Sequence, residues 1–572
     1  KVGDFYRSFM DSAAVEARGV QPIQADLAII DAIKDTDDLA RYIASLHAQG
    51  TAAPFDFYID QDKKNATVYY VYLTQTGLGL PNREYYFDEQ FEEAREKYLW
   101  YVTTLHELAG LEGGDAAAQT LMAVETRLAR NHWTPVQNRD RDATYNKVAI
   151  ADLDELAPGF AWDAWVSTVA LGVDSVIVRQ PSYLTAVGEA MTDVSIDDWK
   201  TYFRHRLLSS AAPFLPQAFV DARFEMYGRT LSGAESDRPR WKRAVAATET
   251  ALGEVLGRLY VERHFKPESK RRMDELVENL RKAFEVSIGE LDWMTDATKG
   301  QALDKLAKFQ PKIGYPNVWK DYSALEVRPD DLFGNMRRSY AVEYKREVGK
   351  LGKPIDREEW LMTPQTVNAY YNPSMNEVVF PAAILQPPFF NPEADDAANY
   401  GAIGGVIGHE FSHGFDDQGR KSDGDGNLRD WWTESDAAEF QERAQGLVAQ
   451  YDAYSPIEGM NVNGELTLGE NIGDLAGLTI AYKAYRLSLN GEEPPVIDGL
   501  TGDQRFFMGW AQVWRALYRE ENLKERLVTD PHSPNQYRVN GIVSNVPAFY
   551  EAFDVQEGDG MYISPEKRVK IW

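Results

Sequence analysis

Gly401-Ala-Ile-Gly-Gly-Val406-Ile-Gly-His409-Glu410-Phe-Ser-His413-Gly-Phe-Asp416-Asp417 sets the pattern H-E-x-x-H inside an apolar, glycine-rich run. A helix turns the chain by about 100° per residue, so His409 and His413 project from one face. Both imidazoles can then reach one Zn²⁺ at about 2.0–2.1 Å, with Glu410 beside them as a general base. Ala402, Ile403, Val406 and Ile407 supply an apolar side, and Gly401, Gly404, Gly405 and Gly408 let other backbone come close. The run is expected to be a buried helix.

Catalytic zinc needs a third protein ligand and one open position. A metzincin extension would place Gly and His where the chain has Asp416 and Gly419, and the absence of Cys excludes thiolates. Carboxylates remain, and the best candidate lies in Thr467-Leu-Gly-Glu470-Asn-Ile-Gly-Asp474-Leu-Ala-Gly. Glu470 and Asp474 are four apart, on a helical face that leads into Leu475, Ala476, Leu478, Ile480 and Ala481. Acids there are costly unless paired or metal-bound. Glu470 as ligand and Asp474 as acceptor for a histidine N–H satisfy both. The competing reading is a solvated acidic helix start, favoured by the dipole.

The string Asn368-Ala369-Tyr370-Tyr371-Asn-Pro-Ser-Met-Asn-Glu-Val378-Val379-Phe380-Pro381-Ala-Ala-Ile384-Leu-Gln-Pro-Pro-Phe389-Phe390 resembles the substrate-binding segment of the neprilysin family of zinc endopeptidases. The resemblance continues through Gly401–Arg420, Asp430-Trp431-Trp432-Thr433, Gly469–Asp474, Asp530-Pro-His532-Ser-Pro-Asn-Gln-Tyr-Arg538 and Trp572. Upstream it includes Gly77–Tyr86 and Lys312-Ile-Gly-Tyr-Pro316, so nearly the whole chain is covered.

The resemblance implies a mainly α fold of two helical lobes enclosing a large cavity, with a thermolysin-like zinc site in the C-terminal lobe. The expected division lies near residue 290, giving lobes 1–290 and 291–572, and whether the N-terminal residues pack onto the catalytic lobe is left open. It further implies one Zn²⁺ per chain on His409, His413 and Glu470, with Glu410 as base and His532 as oxyanion donor. Asp474 and Asp416 become the partners that orient His409 and His413. Asn368 and Ala369 bind substrate backbone, and Arg538 a substrate carbonyl. The pocket for the residue after the cleaved bond is formed by Ile384, Phe389, Val406, Val513 and Trp514. All five are apolar, so a large hydrophobic residue is expected there.

The function expected is therefore internal cleavage of oligopeptides. An exopeptidase or a silent peptide-binding module are the alternatives; the first would need a site for a free terminus, and the second has no need of the intact set. The formal net charge of −28 argues against nucleic acid and anionic membrane as partners. No apolar run approaches the roughly 18 residues of a membrane span. Animal members of the family are disulfide-bonded, whereas this chain lacks Cys and ends Arg568-Val-Lys-Ile-Trp572. A bacterial oligopeptidase is expected, monomeric, and periplasmic, secreted or at the cell surface, with an N-terminal portion and targeting segment outside this sequence. The sequon Asn65-Ala-Thr67 is then idle.

Elsewhere helical spacing dominates. Phe87, Phe91, Tyr98, Val102, Leu105 and Leu108 predict one helix, and Asp115 is expected to cap the next. Leu252, Val255, Leu256 and Leu259 predict another, and Pro267 opens one bearing Met273, Leu276, Leu280, Phe284 and Ile288. Thr67–Leu73 and Glu377–Phe380 read as strands. Asp423-Gly-Asp425-Gly-Asn427-Leu428 resembles a calcium loop but has Leu428 where the sharp turn needs Gly, so a surface turn is expected. His47, His106, His132, His205 and His264 have no ligand-spaced partner and read as structural or exposed.

Overall fold

The computed structural model describes residues 1–572, mainly as α-helices with two small sheets. Its apolar side chains gather into two large cores. The first holds 57 buried residues, all from Ile23 to Leu231 except Phe333. The second holds 53, from Met273 to Trp572, and contains the H-E-x-x-H helix. A smaller cluster joins Phe5 and Phe9 of the N-terminal helix to Leu252 of Arg240–His264 and to Leu332 and Met336 of Leu332–Val348. The N-terminal residues thus rest on these connecting helices.

Pro267–Glu290 buries Met273, Leu276, Leu280, Phe284 and Ile288, the stripe its spacing predicts, and turns it into the second core. The expected division falls at this helix's C-terminal end. Leu332–Val348, later in the chain, returns to the first core through Phe333.

In the first lobe, β1 (Phe55–Asp62) and β2 (Asn65–Gln75) form an antiparallel hairpin about Lys63 and Lys64. With β3 (Asn146–Ala149) and β4 (Ser175–Val178) they make a sheet of order β1-β2-β4-β3, in which β2 and β4 run parallel. The second sheet has order β5-β7-β6, with β5 (Gln310–Gly314) parallel to β7 (Glu377–Pro381) and β6 (Tyr370–Asn372) antiparallel to it. Every side chain of β7 is buried, and β6 is an edge strand beside the motif helix.

Two local readings need correction, and one predicted helix is present but kinked. Phe87 lies in a turn, 40% exposed, and the helix begins at Glu92, since Arg83–Tyr86 and Glu89–Phe91 close as separate short turns. Asp115 stands inside the first turn of Gly114–Asn131, where it still favours the helix dipole; the cap position belongs to Gly113 at φ 74°, a value glycine adopts freely. Leu252 breaks the helical geometry of Arg240–His264 with φ −142°, kinking a helix whose Leu259 faces solvent.

The lobes are pinned together next to the motif helix. Arg139 pairs with Asp417 at 2.9 Å and donates to Glu465 O at 2.8 Å. Lys421 pairs with Asp142 at 2.8 Å, and Asn427 Oδ1 accepts from Ala66 N at 2.9 Å. The Asp423 carboxylate is engaged within its own turn, accepting from Asp425 N, Asn427 N and Arg429. No helix is long and apolar enough to cross a membrane.

Candidate metal centre

The centre begins with glycines. Gly405–Ser412 continues from a π-helical turn at Tyr400–Gly404 and crosses Leu468–Ser488. At the crossing, a Cβ on Gly408 would clash with the Gly477 backbone, and one on Gly477 with His409 N. A Cβ on Gly473 would come within 2.9 Å of the His409 ring. Only backbone fits there, and the close approach carries Glu470 to the histidines.

His409, His413 and Glu470 bring one potential ligand atom each to within 4.8 Å of one another. Glu470 Oε2 lies 3.1 Å from His409 Nε2 and 3.6 Å from His413 Nε2. The rings stand nearly perpendicular, at 85°. Each turns Nδ1 away from the centre: His409 Nδ1 lies 2.8 Å from Asp474 Oδ1, and His413 Nδ1 2.8 Å from Asp416 Oδ2. With Nδ1–H donated to a carboxylate, Nε2 keeps its lone pair for a cation.

Glu470 Oε2 is the atom that tests this arrangement. It is buried and accepts no hydrogen bond, though a third imidazole, His532 Nε2, also lies 3.1 Å away. Burial raises the Glu470 carboxyl, but the His413, His409 and His532 side chains outweigh it and hold the group well below its ordinary range. A desolvated carboxylate oxygen facing the Nε2 lone pairs of His409 and His413 is unfavourable without a cation between them. Two imidazoles and a carboxylate without thiolate form a catalytic zinc set.

Glu410 is buried beside these groups, and burial pushes its carboxyl above its ordinary range against the opposing pull of His409 and His413. A base that must accept and later release a proton benefits from such a shift. His532 sits in the loop before Asn535–Val543, 39% exposed at its side chain. Its Nδ1 lies 2.8 Å from Asp530 Oδ1, which also accepts from His532 N. Burial lowers this histidine, but Asp530 and Glu470 prevail and hold it at about 9.

Arg538 makes a contact that its sequence reading did not include. Its Nε and Nη2 form a fork on Asp474, each at 2.7 Å, and its guanidinium lies 3.7 Å from the Trp514 ring centre. It therefore grips the carboxylate that orients His409. Asn368 is exposed and Ala369 buried where the chain enters β6, whose outer edge has no strand partner. Ile384 and Val406 are buried in the second core, and half-buried Phe389 and Trp514 pack on it. Val513 is half-buried outside that cluster.

Sequence reading missed Lys305. This fully buried lysine donates to Gly414 O at 2.6 Å, Gly419 O at 2.8 Å and Ser422 O at 2.7 Å. Gly419 N in turn donates to Asp416 Oδ1 at 2.6 Å, so Lys305 fixes the loop that carries the partner of His413. The available signal was a charge between Ala302 and Leu306 on the buried side of Asp296–Ala307. Asp530 stands two residues before His532 in the sequence, but its hold on the ring is visible only in the fold.

The chain matches two models of peptidase family M13, the N-terminal one over residues 1–316 and the second over 368–569. It is 36% identical over 601 residues to endothelin-converting enzyme 1 of Mus musculus, covering 99% of this chain and 77% of that protein. Among solved structures it is 50% identical to the Mycobacterium tuberculosis zinc metalloprotease Zmp1 in complex with an inhibitor, with TM-score 0.97 over 100% of this chain and 88% of that one. The same protein in an open state gives 0.72, covering 100% and 90%, so the lobes here are arranged as in the inhibitor complex. PepO of Lactobacillus rhamnosis is 28% identical, with TM-score 0.92 over 100% of this chain and 90% of that one.

Proposed function

This chain belongs to peptidase family M13 as a zinc metalloendopeptidase, and from that premise we propose that it cuts oligopeptides before large hydrophobic residues. The observation that carries the site assignment is Glu470 Oε2, buried and unbonded among three imidazole nitrogens. His409, His413 and Glu470 would hold one zinc per chain. When bound, the cation supplies Lewis acidity, which eases deprotonation of water and polarises a carbonyl.

Glu410 takes the attacking water's proton and passes it to the departing amine. His532, held by Asp530, donates to the oxyanion that forms at the carbonyl. Asp474 and Asp416 fix the tautomers of His409 and His413. Arg538 steadies Asp474, leaving Nη1 to meet a substrate carbonyl. The peptide adds along the outer edge of β6, where Asn368 and Ala369 meet its backbone independently of sequence. Ile384, Val406, Phe389, Val513 and Trp514 receive the hydrophobic side chain.

The lobes divide near residue 290, with Leu332–Val348 crossing back, and a site between them selects oligopeptides over folded proteins. We place the enzyme in a bacterium, as a monomer outside the cytoplasm. Mass spectrometry of fragments from unrelated peptides tests the reading. Internal cuts before Phe or Leu, abolished by a chelator, are expected; stepwise loss of terminal residues, or a preference for acidic or small residues after the cut, overturns it.

A further inference from the structure

Gly77-Leu-Gly-Leu-Pro-Asn82-Arg83-Glu84-Tyr85-Tyr86 takes no part in the zinc chemistry, yet the first lobe holds this loop firmly. Glu125, fully buried, accepts from Gly79 N at 3.2 Å, Tyr86 OH at 2.6 Å and Tyr98 OH at 3.1 Å. Tyr202 OH donates to Gly77 O at 2.8 Å, and Tyr227 OH to Gly79 O at 3.0 Å. A Cβ on Gly79 would overlap the Tyr98 hydroxyl, so the loop lies directly on this network. Its far end reaches the catalytic lobe, where Asn82 Nδ2 donates to Val528 O at 2.9 Å.

Val528 stands in the last turn of Glu520–Thr529. The last four carbonyls of a helix have no intrahelical donor, and Asn82 supplies one from the other lobe. This helix is shared between the lobes. Leu523 and Leu527 face the second core, while Val528 packs on the first. The first lobe also crowds the helix's N-terminal end, where a Cβ on Gly233 would come within 2.3 Å of Glu521 Oε2 and 3.0 Å of Arg519 Cβ.

The C-terminal end of the helix carries the oxyanion machinery. Asp530 follows its last residue, and Arg526 Nη2 ties the Asp530 carboxylate to the last turn at 2.7 Å. Asp530 Oδ1 in turn accepts from the His532 ring and backbone. On the other flank, Ser533 Oγ donates to Asn471 Oδ1 at 2.7 Å, next to Glu470. His532 is more open to solvent than His409 or His413, so its flanks rather than its packing fix its place. One flank is anchored within the catalytic lobe. The other is a helix end that the first lobe touches.

We propose that Asn82 is a positioning residue for His532, delivered by the first lobe. When the lobes close on a peptide, its amide takes Val528 O and seats the helix end, which sets Asp530 and His532 beside the oxyanion. When the lobes part, that carbonyl loses its donor and the ring loses its register. The metal's ligands belong to one core and stay set in either state. Closure therefore completes the oxyanion donor and nothing else in the centre, and an open chain with its metal in place is a poor hydrolase. This deepens the peptidase reading and rests on His532 as oxyanion donor.

The test uses the zinc-loaded full chain and one internally quenched peptide, with kcat taken per bound zinc so that misfolded chain does not count. Asn82→Ala should lower kcat roughly three- to tenfold, the worth of one hydrogen bond, with zinc content and KM little changed. Asn82→Asp keeps the shape but turns an oxygen towards Val528 O, and should lower kcat further. In a His532→Ala background both losses should vanish, because a residue that acts through His532 has nothing left to position. Four results overturn the proposal: kcat within twofold of the unaltered chain in both variants, an effect confined to KM, loss of zinc, or the same fold-loss in the His532→Ala background. Near-normal kcat in His532→Ala alone would instead sink the oxyanion reading, and the role of Asn82 with it.

Discussion

Histidines packed into the two lobes are electrically opposite. In the first lobe His47 lies edge-on to Phe55, Phe57 and Trp165, with Phe55 O as its polar partner at 3.1 Å. Burial lowers it to about 4. His205, between Tyr98 and Tyr101, is pushed well below its ordinary value by burial, and His106 is lowered while its Nδ1 contacts Val102 O. In the catalytic lobe burial acts in the same direction on His409, His413 and His532, but carboxylates at 2.8 Å reverse the outcome. Burial among rings makes histidine a neutral core residue. Burial against a carboxylate makes it an oriented ligand or donor.

The strongest way to break this contrast is to remove the carboxylates. Glu470→Ala should lose both zinc and activity, whereas Glu410→Gln should keep zinc and lose roughly 10²–10⁴-fold in turnover. Metal content measured beside peptide cleavage separates the two; full zinc in Glu470→Ala would remove that residue from the ligand set. His532→Ala should keep zinc and lower kcat by roughly 10²–10³ with little change in KM. Near-normal kcat there would exclude it as oxyanion donor. Asp474→Asn should weaken zinc affinity by roughly 10–100-fold, and Arg538→Ala should follow it, because the guanidinium fork holds that carboxylate. An Arg538→Ala effect confined to KM, with zinc affinity intact, would restore the simple substrate-contact role.

The smallest effect belongs to the first lobe. A folded His47 near pKa 4 binds fewer protons than an unfolded one near 6.5, so its contribution is complete above about pH 6.5 and lost as pH falls towards 4. The cost at the acid end is on the order of 3 kcal/mol. Denaturant unfolding at stepped pH should show this loss, and His47→Gln should flatten it. A slope that survives the substitution would move its origin to the other buried histidines.

What the sequence made legible follows the length scale of each interaction. The H-E-x-x-H spacing is one helical turn, and Glu470 and Asp474 sit one turn apart on a second helix, so both were readable from periodicity. That Asp474 accepts from a histidine followed from the cost of burying an acid, whereas Asp416 as the partner of His413 came only from the family resemblance. Lys305, 109 residues before its acceptor Gly414 O, bonds to backbone, which leaves no complementary side chain to find. The Arg538 fork on Asp474 spans 64 residues, and no local spacing in the sequence announces it. The return of Leu332–Val348 to the first core was hidden because its apolar face says nothing of which core receives it.

The glycine crossing of Gly408 and Gly477 has a consequence for turnover. His409, His413, Glu470, Asp474 and Arg538 all belong to helices of one core, and the contact that spaces the two ligand-bearing helices has no side-chain torsion through which to relax. Parting the lobes breaks Arg139 from Asp417 and withdraws the opposite wall, yet it moves none of the metal's ligands relative to another. An enzyme built this way can release product and admit substrate in each cycle without reopening its coordination sphere, so its metal is a lasting tenant while its peptides are transient ones.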